Sequence, residues 1–368
     1  MLALHLPSAD QRPTSAARLL AAMEHNMLDA KLTSFLLGAV FFACSDQNDP
    51  RGSEPGAGAG QGLAAVDPET RGQYLVDDVT GCAGCHTPRD QMGAPILTEY
   101  LAGAECFIRL ESDSCLNAPN LTNHETGLMN RTDAEIKRMI RDGVRPTATG
   151  EEPLFPVMAS YVYHDLTDLD LDAVVAYLRT VPGVDNLVPR RGPEFDPGPS
   201  NPLSTSEIPA TRRGGRRGAL GPAIPLDMSV VPMPVPGYAE PDAALRGRYL
   251  ATQACMICHT RHLDPDPQWL DYGAFFTGGE EFDVGLPTIA FAGNITSDIE
   301  TGIGDWSVQD IFRAIQQGTD RHGDGICPPM GGAPSGLTDL DALDIAHYIK
   351  SLPPVAGEKA ELCPFPPQ

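Results

Sequence analysis

Two five-residue motifs constrain this chain more than anything else in it: Cys82-Ala83-Gly84-Cys85-His86 and Cys255-Met256-Ile257-Cys258-His259. A pair of thiols three residues apart, with histidine directly after the second, is the attachment pattern of a c-type haem. The thiols add across the two vinyl groups of the porphyrin, and the histidine supplies the proximal nitrogen to iron. His86 and His259 stand 173 positions apart, and the sequence around them repeats. Arg71-Gly72-Gln73-Tyr74-Leu75 precedes the first motif and Arg246-Gly247-Arg248-Tyr249-Leu250 the second. Asn120-Leu121-Thr122 with Glu125-Thr126-Gly127 is echoed by Asn294-Ile295-Thr296 with Glu300-Thr301-Gly302. Ala176-Tyr177-Leu178-Arg179-Thr180-Val181-Pro182 is echoed by His347-Tyr348-Ile349-Lys350-Ser351-Leu352-Pro353. Such self-similarity at one spacing means tandem duplication, not one large domain.

The 37 Gly and 35 Pro among 368 residues fit small, loop-rich units whose apolar core is largely the porphyrin. Pro68-Glu69-Thr70 reads as the opening of a helix that leads to the first motif. Asp133 to Arg141 carries Ile136, Met139 and Ile140 at helical spacing and ends at Gly143. Thr167-Asp168 and Thr338-Asp339 start a last helix in each unit, with Leu171, Val174, Val175 and Leu178 on one face of the first and Leu343, Ile345, Ala346 and Ile349 in the second. Gly72 and Gly247 are expected to let the first and last helices of each unit cross closely. The fold class is therefore mainly α. The expected boundaries are a signal region over 1–43 (with Met27 as a possible true start), a tether over 44–66, a first unit over 67–185, a Pro-rich linker over 186–240, a second unit over 241–358 and a tail over 359–368.

Histidine alone leaves the sixth iron position open, and its occupant separates an electron carrier from a catalyst. Met158, in Phe155-Pro156-Val157-Met158, follows His86 by 72 positions, and Met330, in Cys327-Pro328-Pro329-Met330, follows His259 by 71. Two unrelated core methionines rarely fall at matching distances. Both are assigned as axial ligands, so the expected iron ligands are His86 with Met158 and His259 with Met330. Thioether ligation favours ferrous iron and raises the potential.

The formal charge of −23 excludes a nucleic-acid partner, because phosphate neutralisation needs clustered Lys and Arg. It suits a redox partner with a basic docking face. Lys31, an apolar run from Leu32 to Ala43 and small residues before a polar stretch read as an export signal, too short to span a bilayer. Cys44 directly after Ala43 resembles a lipoprotein processing site, which implies a lipid anchor on the periplasmic side of a bacterial membrane. Gly56-Ala57-Gly58-Ala59-Gly60 would be its flexible tether. The remaining cysteines are expected to form disulfides by locality, Cys106 with Cys115 and Cys327 with Cys363.

Haem motif, Asn-Ile-Thr, Thr-Gly-Ile-Gly-x-Trp, Pro-x-Met and a final Tyr-(Leu/Ile) helix, in this order, resemble bacterial class I cytochromes c. The likeness is nearest to the cytochrome subunit of membrane-bound alcohol and gluconate dehydrogenases and its dihaem relatives. The resemblance implies two tandem cytochrome c domains, each wrapped around a covalent haem c. It also implies an Asn/Thr loop and a Trp at the haem edge; Trp306 fits, and Arg131 takes that place in the first unit. The expected function is electron transfer from a membrane dehydrogenase or quinol-oxidising complex to a downstream acceptor. The competing reading is a dihaem enzyme of peroxidase or thiosulfate-oxidising type.

Overall fold

Five of the nine α-helices among the described residues begin where a side-chain oxygen caps them. Asp67 accepts from the Thr70 N–H at the start of α1 (Pro68–Tyr74). One five-residue π-helical turn, Leu75–Val79, then separates α1 from α2 (Cys82–His86). Thr132 and Glu135 form a reciprocal capping box on α3 (Asp133–Asp142), which stops at Gly143 in the left-handed conformation. After α4 (Ser160–Tyr163), Thr167 caps α5 (Asp168–Thr180). The second half repeats the series with α6 (Pro241–Ala254) and α7 (Met256–His259). Ser307 and Asp310 then form the matching capping box on α8 (Val308–Gln317), closed by left-handed Gly318, and Thr338 caps α9 (Asp339–Lys350).

The computed structural model describes residues 66–91, 93–109, 115–148, 150–154, 158–189, 228–261, 270–282, 290–327, 330 and 336–359. All fall in one compact unit, Pro55–Gln368. The signal stretch, Cys44, the tether up to residue 65 and Cys363 lie outside the described residues.

The core of each half is a crossed helix pair, α1 on α5 and α6 on α9. The crossing depends on glycine. A Cβ on Gly72 would lie 1.9 Å from the Ala173 carbonyl oxygen, and one on Gly247 would lie 1.9 Å from that of Asp344. An arginine next to each glycine ties the pair together from the side: Arg71 to Asp170 in the first half and Arg246 to Asp344 in the second. Leu171, Val174, Val175 and Leu178 are buried as the spacing predicts, as are Ile345, Ala346 and Ile349.

Among the described residues the strands form three two-stranded antiparallel pairs: Ala104–Arg109 with Cys115–Ala118, Val144–Thr147 with Gly150–Pro153, and Glu281–Phe282 with Ala290–Phe291. At two to six residues, these strands are too short for alternation to register in the sequence.

The described ends of the segment between the halves are bonded to the neighbouring helices and loops. Asn117 and Asn120 hold the carbonyls of Pro189, Val184 and Asn186. At the other end, Val231 is buried, and Pro232 accepts from both Arg248 and the Tyr348 hydroxyl. The two halves also grip each other reciprocally. Tyr74 donates to Asp341 at 2.6 Å and accepts from the Thr338 N–H, while Tyr249 donates to Asp170 at 2.7 Å and accepts from the Thr167 N–H.

Candidate haem-binding sites

The chain enters α2 through Gly81, whose φ of 62° turns the backbone directly from the π-helical turn into the motif. Helical spacing then puts the two cysteines of each motif on one side, with the histidine one residue further on. Cys82, Cys85, Cys255 and Cys258 are all free thiols. Burial pushes Cys82 and Cys258 up to about 11 and Cys255 up to about 12, so the sulfurs stay protonated.

Both histidines are buried and oriented in the same way. Nδ1 of His86 lies 2.7 Å from the Pro119 carbonyl oxygen, and Nδ1 of His259 lies 2.8 Å from that of Gly293. A carbonyl can only accept, so Nδ1 carries the proton and Nε2 keeps its lone pair for a metal. Burial lowers both imidazole pKa values, which keeps the rings neutral as ligands must be.

A shared loop architecture places those two carbonyls. After each histidine a buried threonine, Thr87 or Thr260, accepts from the backbone N–H of Leu101 or Phe276. Leu101 and Phe276 sit at φ 57° and 58°, fully buried, a conformation that costs energy for a side chain of this size. Their carbonyls receive Leu121 and Ile295 N–H, which ties the Asn-x-Thr loop down. Within that loop the Asn120 amide donates to Thr126 and Val184, and that of Asn294 to Thr301 and Val355. Thr122 and Thr296 in turn accept from the N–H of Val184 and Val355. The loop's side chains are thus committed to holding the segment after the last helix, and its leading carbonyl orients the histidine. Nothing in the residue types of Pro119 and Gly293 marks this role; only their place directly before each Asn-(Leu/Ile)-Thr could have revealed it.

Met158 and Met330 are half-buried, and each packs on the apolar core. Trp306 does likewise. Arg131 donates to the Pro146 carbonyl at 2.9 Å and lies 3.8 Å from Glu135, so protein partners already engage it. Cys106 and Cys327 are disulfide-bonded, whereas the side chain of Cys115 and all of Cys363 lie outside the described residues.

Protonated thiol pairs and neutral histidines with Nε2 free form a donor set that fits covalent attachment and ligation of haem. Among the described residues no group of three or more His, Cys, Asp or Glu could hold a bare ion instead. The family model named Cytochrome c matches residues 69–182. Those residues are a cytochrome c domain. Such a domain carries haem c covalently, and Cys82, Cys85 and His86 are the residues that would hold it here.

Among similar proteins, the fructose dehydrogenase cytochrome subunit of Gluconobacter japonicus is 36% identical over 32% of this chain and 22% of its own length. The cytochrome c subunit of the quinone alcohol dehydrogenase of Gluconacetobacter polyoxogenes is 28% identical over 74% of this chain and 54% of its own. A diheme cytochrome c-type protein of Cereibacter sphaeroides is 30% identical over 32% of this chain and 36% of its own. The chain thus spans about half, or less, of the length of these relatives. No helix among the described residues is long and apolar enough to cross a membrane.

Proposed function

We propose that the chain is an exported dihaem c-type cytochrome that carries electrons from a dehydrogenase or quinol-oxidising complex to a downstream acceptor. The observation that carries this reading is the duplicated site: two Cys-x-x-Cys-His motifs, each with its histidine aimed by a carbonyl from an equivalent loop. Relatives named as cytochrome subunits of fructose and alcohol dehydrogenases support a dehydrogenase as donor. Each bound haem supplies one-electron exchange; the protein supplies burial, ligand orientation and a docking surface. Met158 and Met330 complete the two iron sites, and Cys44 carries a lipid anchor on the periplasmic side. Cys106 pairs with Cys115 and Cys327 with Cys363.

Haem quantitation on the full chain should give two haems. Met158→Ala and Met330→Ala should each convert one haem from low-spin to high-spin and lower its potential. An unchanged spectrum removes that ligand assignment. A wild-type haem that is already high-spin and rapidly binds cyanide or peroxide overturns the carrier reading in favour of an enzyme.

A further inference from the structure

The two halves meet at a seam closed by two Tyr–Asp clasps, Tyr74 to Asp341 and Tyr249 to Asp170. Directly after Tyr74, the π-helical turn Leu75–Val79 sets two acids side by side, and their surroundings differ. Asp77 accepts a hydrogen bond from Tyr100, whose hydroxyl accepts in turn from Tyr177 at 3.1 Å. Asp78, half-buried, makes no hydrogen bond and no ion pair among the described residues. Its carboxyl end lies against the second half instead: a Cβ on Gly336 would fall 1.6 Å from its Oδ1 and 2.3 Å from its Cγ. Gly336 leads into buried Leu337 and then Thr338, whose N–H donates to Tyr74.

No cation among the described residues pairs with this carboxyl. The turn packs against α1, α2, α5 and α6, and the four arginines of those helices are committed elsewhere. Arg71 binds Asp170, Arg179 binds Asp133, Arg246 binds Asp344, and Arg248 holds the carbonyls of Val231 and Pro232. His86 is turned to the Pro119 carbonyl. Burial raises Cys82, Cys85, Tyr74, Tyr177 and Tyr249, so thiols and phenols alike are neutral. Glu69, Asp168, Asp170, Asp172 and Asp242 on these helices, with Asp339 and Asp341 just past Gly336, bring only charge of the same sign. Burial first, and then the Asp77 carboxylate, raises the pKa of Asp78. The second half handles the matching place differently. Gln253 follows Tyr249 by four positions, as Asp78 follows Tyr74, and an amide carries no charge at any pH.

We propose that Asp78 is a proton-sensitive latch between the two halves, docked on Gly336 as the neutral acid and loosened as the carboxylate. A carboxyl whose folded pKa lies above its ordinary value of about 3.9 gives stability that is whole below that value and lost as pH rises through the folded pKa. The seam therefore closes most firmly in mild acid. The latch rests on the contact between the halves and not on what either haem does.

The test follows hydrogen exchange of the segment 336–341 in the full-length, haem-loaded protein from pH 4 to 7, corrected for the intrinsic pH dependence of exchange. Wild-type protection should fall about two- to fivefold across that range, the size expected of a half-exposed charge. Asp78→Asn and Asp78→Gln should match the wild type at pH 4 and show no such fall. Gly336→Ala, whose new Cβ displaces the carboxyl, should flatten the profile as well. Parallel profiles in the wild type and both amide variants, or an undiminished fall in Gly336→Ala, overturn the latch and leave the carrier reading standing.

Discussion

Replacing Gly247 with alanine tests the helix crossing that organises the second half. The new Cβ would lie 1.9 Å from the Asp344 oxygen, 2.3 Å from its carbon and 2.7 Å from the Ile345 nitrogen, all backbone atoms of α9. No rotamer change relieves a clash with backbone, so α6 and α9 must separate by about 1.5 Å to restore ordinary contact. A gap of even 0.5–1 Å forfeits roughly a quarter to a half of each dispersion contact it opens. That loss falls on Ala244, Leu250 and Ala251 facing Ile345, Ala346 and Ile349, all buried. Overpacking of this kind costs about 1–3 kcal/mol or more. Against it stands the roughly 1 kcal/mol by which alanine outdoes glycine as a helix former. Because the clash is with backbone, the cost falls at the upper end of that range, and the net expectation is a loss of about 2 kcal/mol, a fall in Tm of roughly 4–8 °C at the 2–4 °C per kcal/mol of a chain this large. Thermal unfolding of the haem-loaded protein, followed by far-UV circular dichroism and by the Soret band, measures it. A Gly247→Ala protein as stable as the parent, or more so, would refute close crossing as the role of this residue. Gly72→Ala, 1.9 Å from the Ala173 oxygen, should behave in the same way.

Arg71→Ala leaves Asp170, only 4% exposed, without its bidentate partner, and should cost about 3–5 kcal/mol in denaturant unfolding. Arg246→Ala should cost clearly less, since Arg246 is 40% exposed and water can replace it at Asp344. Burial, then Asp341 for Tyr74 and Asp170 for Tyr249, raises the phenol pKa values; burial also raises that of Tyr348. A raised folded-state pKa gives stability that is whole below the ordinary phenol value of about 10 and lost as pH climbs past it. Unfolding midpoints should therefore hold to about pH 10 and fall above it, with phenolate absorbance appearing only as the fold opens; full phenolate absorbance in the folded protein would contradict the burial. With a formal charge of −23, electron exchange with a basic redox partner should slow steeply as salt rises, and a salt-independent rate would exclude a charge-steered encounter.

How much of this was legible in the sequence depends on whether a role leaves a trace in residue type. Helix starts did at Pro68, Thr167 and Thr338, whose residue types suit a helix opening, and so did Gly72 and Gly247 at the crossings; the start at Ser307 was missed. The left-handed backbone at Leu101 and Phe276 did not, since neither residue type favours it and only the surrounding hydrogen bonds impose it. The carbonyls that aim the histidines were equally silent, because every residue has one. The Tyr–Asp clasps hid differently. Tyr74, Tyr249, Asp170 and Asp341 all belong to visible repeats, but pairing within a half and pairing across halves would leave the same sequence pattern. The strand pairs were missed because a strand of two to six residues shows no period.

The segment after each last helix also decides where this protein can be cut. Asn120 and Thr122 grip the backbone at Val184, and Asn294 and Thr296 grip it at Val355. Further on, Asn117 holds Pro189 and the Asn294 N–H reaches Glu358. A fragment ending at the last helical residue would release the loop that aims its own histidine, although no haem ligand had been removed. A first-half fragment intended to mature with haem should therefore extend past Pro189, and a tag on the second half should begin beyond Glu358.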